Sequence, residues 1–135
     1  MSLFKVFNVS GSAVSAQSQR LNVVSSNLAN AESVAGPDGK PYKARQVLFQ
    51  TQMMDAEQSS AGVRVASIVE DSTEPRKLHE PSHPLADENG YVTMTNVNVV
   101  EEMVNMISAS RSYQSNVDVM NTAKNMLQKT LQLGS

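Results

Sequence analysis

Five consecutive residues, His79-Glu80-Pro81-Ser82-His83, spell the HExxH pattern, in which two imidazoles one helical turn apart hold zinc and the glutamate activates water. That chemistry needs a helix, and Pro81 inside the pattern with Pro84 just after it denies one. Both histidines are therefore read as surface-loop residues, and no metal site is expected. Nothing else offers a reactive constellation: there is no cysteine, no Gly-rich phosphate loop and no Ser nucleophile elbow. Neither catalysis nor a cofactor is expected.

The histidines belong to a middle stretch, residues 36–96, whose composition differs from that on either side. Gly36-Pro37-Asp38-Gly39-Lys40-Pro41 is a turn cluster that cannot continue a helix. Strands are expected over Tyr42 to Phe49 and over Gly62 to Glu70, where Val63, Val65, Ser67 and Val69 alternate with Arg64, Ala66, Ile68 and Glu70. A short strand is expected at Gly90 to Thr95, after the Asn89-Gly90 turn signal. Between them, Glu74 to Leu85 carries three prolines in the ten residues from Pro75 to Pro84 and reads as an extended surface loop. The result is a small β-rich module.

Helical patterning occupies both flanks. Val99, Met103, Met106, Ser110, Tyr113, Val117, Met120, Lys124, Leu127 and Leu131 are spaced alternately four and three apart, and eight of the ten are apolar. In a chain that is 40% hydrophobic about four would be expected by chance, so this is a heptad seam on a long helix. Asn98 stands at its N-cap with Glu101 three residues on, Glu101 and Glu102 fall in the first turn, and Lys124, Lys129 and Gly134 lie towards its end. Met103, Met106, Met120 and Met126 give the helix soft, adaptable surfaces, and Ser110 and Lys124 interrupt the seam. From Val99 to Leu133 it would run roughly 50 Å, more than the middle module can shield.

At the other end Phe7, Val14, Leu21 and Leu28 recur every seven residues, with Leu3, Val24 and Ala31 on neighbouring positions and Ser10 and Gln17 interrupting. A helix from Leu3 to Ala31 would be roughly 40 Å long. From Ser12 to Asn30 its polar face is made of Ser, Asn and Gln with Arg20 alone charged, whereas solvent-facing helices favour long charged residues. Small polar residues suit a helix surrounded by others; in a free subunit the same composition suits a weakly helical, partly disordered end.

The 135 residues carry eleven Lys and Arg against thirteen Asp and Glu, a formal charge of −2, which leaves no basic patch for nucleic acid or an anionic membrane. Aromatic content is 4% and Trp is absent, so few large residues can seal a monomeric core. No run reaches the roughly twenty apolar residues that span a bilayer, and no signal-peptide core is recognised, so no membrane insertion is expected.

The run Ser12 to Ala31, which contains Asn22, Asn27, Ala29 and Asn30, resembles the N-terminal motif of the bacterial flagellar rod and hook axial protein family. Asn96 to Met106, with Asn98, then Ala109 to Val117, with Arg111, Ser112 and Asn116, and Lys129 to Gly134 resemble the C-terminal signature of its proximal-rod members. Gly36-Pro37-Asp38-Gly39 with Pro41-Tyr42, and Pro84-Leu85-Ala86-Asp87 with Gly90-Tyr91-Val92, extend the likeness through the middle. Two departures are Thr95, where Pro is usual before Asn96, and Glu32-Ser33 in place of Asn-Thr.

The resemblance implies a structural subunit of the flagellar basal body, stacked helically into the periplasmic rod that transmits torque to the distal rod and hook. It implies export through the flagellar type III apparatus without a cleaved signal. Its implied partners are copies of itself, the other proximal rod proteins, the adaptor joining rod to export gate, and the distal rod proteins. The expected fold is α+β: an N-terminal axial helix (1–35), the β-rich module (36–96), and a C-terminal axial helix (97–135) in a coiled-coil-like pair with the first. Subunit packing is assigned to Phe7, Val14, Leu21, Val24 and Leu28 on one helix and to Val99, Met103, Met106, Tyr113, Val117, Met120, Leu127 and Leu131 on the other. A coiled-coil adaptor or assembly protein of another cell-envelope complex would present similar seams.

Overall fold

The computed structural model describes residues 3–54, 56 and 60–134, so the expected bounds at 1 and 135 lie outside the described residues. Helix α1 spans Leu3–Ala29 and helix α2 Val99–Leu133, with strands β1 (Arg45–Met53), β2 (Ala61–Glu70), β3 (Lys77–His79) and β4 (Tyr91–Thr93) between them. The fold is α+β, two long terminal helices with a small β-sheet region between.

The two helices lie against each other in antiparallel register. Asn27 reaches Glu102 near one end of the pair, Gly11 lies beside Met120, and Leu3 and Val6 meet Ala123 and Met126 near the other. Buried positions on the two helices include small residues, Ser10 and Ala16 on α1 and Ala109 and Ala123 on α2, which let the backbones approach closely, together with the larger Val23, Val24, Asn27 and Glu102.

Helix α1 ends two residues earlier than the pattern to Ala31 implied, because local polar groups take over its last carbonyls. The Asn30 side chain and backbone N–H both donate to Ser26 O, and Ser33 donates through its N–H and hydroxyl to Asn30 O. Ala31 then turns into a small core with Ala44 and Val97, against which Tyr42 packs.

Strands β1 and β2 form an antiparallel ribbon from Arg45↔Glu70 to Met53↔Ala61, with a bulge between Leu48 and Phe49. β1 starts at Arg45 rather than Tyr42, since Tyr42 is drawn to the end of α1 and the Ala44 N–H donates to Asn96 Oδ1 at 2.7 Å. A two-stranded ribbon alone is marginal in water. Here α1 supports it: the Val63 N–H donates to Ser12 Oγ at 3.1 Å, and that hydroxyl donates to Val9 O at 2.7 Å.

Gly62 makes this approach possible. A Cβ there would overlap the Met54 side chain and lie 2.5 Å from Ser12 Oγ. Gly62→Ala is expected to loosen the ribbon from α1 and lower stability by about 1–3 kcal/mol in urea unfolding, as overpacking of a tight contact does.

The Pro-rich stretch is not all loop. Its residues 77–79 form β3, which pairs with β4 in the register Lys77↔Thr93, Leu78↔Val92 and His79↔Tyr91. Val92 is almost fully buried, whereas Leu78 opposite it stays exposed. The last strand is shorter than expected: Gly90 belongs to the turn at φ +82°, and Asp87 Oδ1 there accepts the Asn89 and Tyr91 N–H groups. The HExxH segment is thus strand and then turn, with the His79 ring edge-to-face on Tyr91 and His83 Nδ1 accepting the Leu85 N–H.

Thr95, the departure from the family pattern, is fully buried. Its hydroxyl donates to Ala31 O at 3.1 Å and accepts the Val97 N–H at 3.2 Å, bonding the turn after α1 to the segment between β4 and α2. Beside it Asn96 Nδ2 donates to Asp71 O and Thr73 O. The Asp71 carboxyl accepts the Thr73 hydroxyl and N–H, which hold it below its ordinary pKa.

Candidate assembly surface

The phase of α2 is set at its first turn. Asn98, in extended conformation at φ −94°, ψ 107°, accepts the Glu101 N–H on its side chain at 3.2 Å and the Glu102 N–H on its carbonyl at 2.9 Å. At the far end Gly134 caps in the right-handed region, φ −85°, its N–H donating to Thr130 O at 3.0 Å. No left-handed cap is used. The phase turns Glu102, Ala109 and Ala123 onto α1, with Asn105, Met106, Asn116, Val117, Met120 and Leu127 half-buried beside them.

The seam read from spacing is therefore divided between two faces. Met106, Val117, Met120 and Leu127 are half-buried on the α1 side, while Val99, Met103, Tyr113 and Leu131 remain exposed, as do Ser110 and Lys124. On α1, Val24 is buried, Val14, Leu21 and Leu28 are half-buried, and Phe7 is exposed; Val23 and Ala16, outside the expected seam, are buried. The reason is size. Small Ala and a polar Glu form the tight inner stripe of α2, so the large apolar residues that dominate a hydrophobic count are displaced to its sides.

Spacing did not single out Val100, Val104 and Ile107. Val100 is 72% exposed, Val104 60% and Ile107 57%, and with Met103 they form one continuous apolar stripe over the first turns of α2. Their i, i+3, i+4, i+7 relation was the available signal, hidden because it lies beside the heptad seam. Among the described elements α2 packs against α1 alone, so no other described helix or strand covers this stripe.

A second apolar area lies where α1 begins. Leu3, Phe4, Phe7, Ala123 and Leu127, with Asn8 and Lys124 at the margin, line a groove of about 420 Å³. With 35 residues against 27, α2 is about 12 Å longer than α1. It runs on past the groove to Leu131 and Leu133, the latter 88% exposed.

Of the family-motif residues, Asn22, Ala29 and Arg111 are exposed and Ser112 is half-buried; Asn30 and Asn98 bond backbone groups at the end of α1 and the start of α2, and within α2 Asn116 Nδ2 donates to Ser112 O at 2.7 Å. Asn27 alone is fully buried, and all the capacity of its amide is used. Its Nδ2 donates to Arg45 O at 2.9 Å and to Glu102 Oε2 at 3.0 Å, and its Oδ1 accepts the Tyr42 hydroxyl at 2.8 Å and the Arg45 N–H at 3.0 Å. A polar cleft of about 260 Å³ opens beside it, lined by Arg20, Arg45, Glu101, Glu102 and Asn105 among others. No group of three or more potential metal ligands occurs among the described residues, and no helix is long and apolar enough to cross a membrane.

An antiparallel pair of terminal helices, with a β module between them and a bare apolar stripe along the longer one, defines a structural subunit that completes its packing by assembly. Comparison with known proteins gives the same class. Residues 7–37 match the family described as "Flagella basal body rod protein", and residues 88–133 match "Flagellar basal body rod FlgEFG protein C-terminal". The chain is 58% identical over 134 residues to the flagellar basal-body rod protein FlgC of Yersinia enterocolitica, 57% to that of Salmonella typhimurium and 56% to that of Escherichia coli O157:H7, each over 99% of both chains. The chain belongs to the FlgC family of flagellar basal-body rod proteins.

Proposed function

We propose that this chain is a subunit of the proximal rod, joined to copies of itself and to the other proximal rod proteins. The observation that carries this reading is the uncovered stripe Val100-Met103-Val104-Ile107 on a helix already paired along its opposite side. The three segments 1–35, 36–96 and 97–135 act together: the terminal helices form the inner tube, and the β-rich module lies outside and makes lateral contacts. Each large apolar residue buried between subunits adds roughly 1.5–3 kcal/mol, so many such contacts stiffen a shaft built from weakly stable parts. Torque passes along it by packing alone. The remaining partners are the adaptor at the export gate and the distal rod proteins, and the route outward is the flagellar type III apparatus, without a cleaved signal, into the periplasmic rod.

Size measurement separates this reading from a coiled-coil adaptor. A rod subunit is expected to be monomeric when dilute and to form polymers of no fixed length when concentrated, with protease-sensitive ends in the monomer. A folded oligomer of one fixed size across concentrations would favour the adaptor.

A further inference from the structure

We infer that Asn27 is a latch coupling the seating of the β1–β2 ribbon to the pairing of α1 with α2, so that the subunit closes or opens as one unit. Four hydrogen bonds on one buried amide join α1 to β1 through both polar groups of the Arg45 backbone, to Tyr42, and to α2 through Glu102. If the ribbon lifts, Asn27 loses both of its bonds to the Arg45 backbone; if α2 departs, Glu102 and an amide donor lose each other. A half-satisfied buried network is worse than either complete state, which disfavours intermediates.

Two further features make the coupling specific. The ribbon is held a second time at Ser12 and Gly62, about 22 Å along the same helix, so it cannot pivot about Asn27. The Asn96 side chain holds Ala44 N–H and Asp71 O at the base of the ribbon, two residues before the Asn98 cap of α2. Ribbon base, end of α1 and start of α2 thus share one set of bonds. This lies beyond the rod assignment and does not depend on it.

Amide hydrogen exchange on the full chain, followed through a rising series of trimethylamine N-oxide, tests the coupling. The wild-type amides of β1, β2 and both helices are expected to gain protection along a single curve. Tyr42→Phe removes a hydroxyl bonded to Ser26 and Asn27 of α1, yet it should speed exchange over residues 102–109 of α2 about five-fold, together with β1. Reciprocally, Glu102→Leu should speed exchange at Gln46 to Leu48, and Glu102→Gln, which keeps an acceptor oxygen, should restore it. Effects confined to the substituted element would overturn the latch. So would separate protection curves for ribbon and helices, or no protection anywhere in the series.

Discussion

Ile107→Asp is expected to leave the subunit folded and to abolish rod assembly. Ile107 is exposed on the side of α2 away from α1, so the change should alter subunit stability by no more than about 0.5 kcal/mol. In the proposed assembly the same position meets a neighbour, where an unpaired buried carboxylate would cost several kcal/mol at every subunit contact. The measurements are the helical circular dichroism and thermal midpoint of the purified chain, which should match wild type, and swimming in soft agar, which should be lost. Normal swimming would remove the stripe from the assembly surface. Met106→Asp, suggested by the heptad spacing alone, is a poorer probe. Met106 is half-buried on the α1 side, so its loss would disturb the subunit before any neighbour arrived.

Asn27→Leu should have the largest effect on the isolated subunit. The leucine strands the Arg45 N–H and C=O and Glu102 Oε2 around an apolar side chain, and leaves the Tyr42 hydroxyl with Ser26 alone. At about 1–3 kcal/mol for each buried group left unsatisfied, and allowing some to find water, a loss of at least about 3 kcal/mol is expected. That is a large share of the 5–15 kcal/mol typical of a domain. Urea unfolding measures it. Asn22→Leu is the control: Asn22 belongs to the same motif five residues earlier, but it is exposed and should change stability by less than about 0.5 kcal/mol. Equal effects of the two substitutions would deny Asn27 its special place.

The contrast between those asparagines shows where sequence reading stops. Motif resemblance marks both equally, and no spacing rule separates them. What distinguishes Asn27 is that Tyr42, Arg45 and Glu102 converge on it from 15, 18 and 75 residues away. The missed strand β3 has a similar cause, since three residues in a Pro-rich stretch carry no local strand signal and take their pairing from β4, about fourteen residues on, with backbone bonds Met94 N–H to Arg76 O and Glu80 N–H to Gly90 O at either end.

Much was nonetheless legible in the chain. Both helices, the Asn98 cap, the start of β2 near Gly62 and the turn at Asn89-Gly90 all follow from local rules, because caps, turns and periodicity act within a few residues. The heptad spacing also implied a seam longer than the middle module can shield. It could not say which face meets α1. That choice rests on close approach, through Ala16, Ala109 and Ala123, and on satisfying Glu102 with Asn27. Periodicity counts apolar residues along one helix, whereas packing selects the stripe small enough to let two backbones meet, and the larger residues are left facing outward for a neighbour.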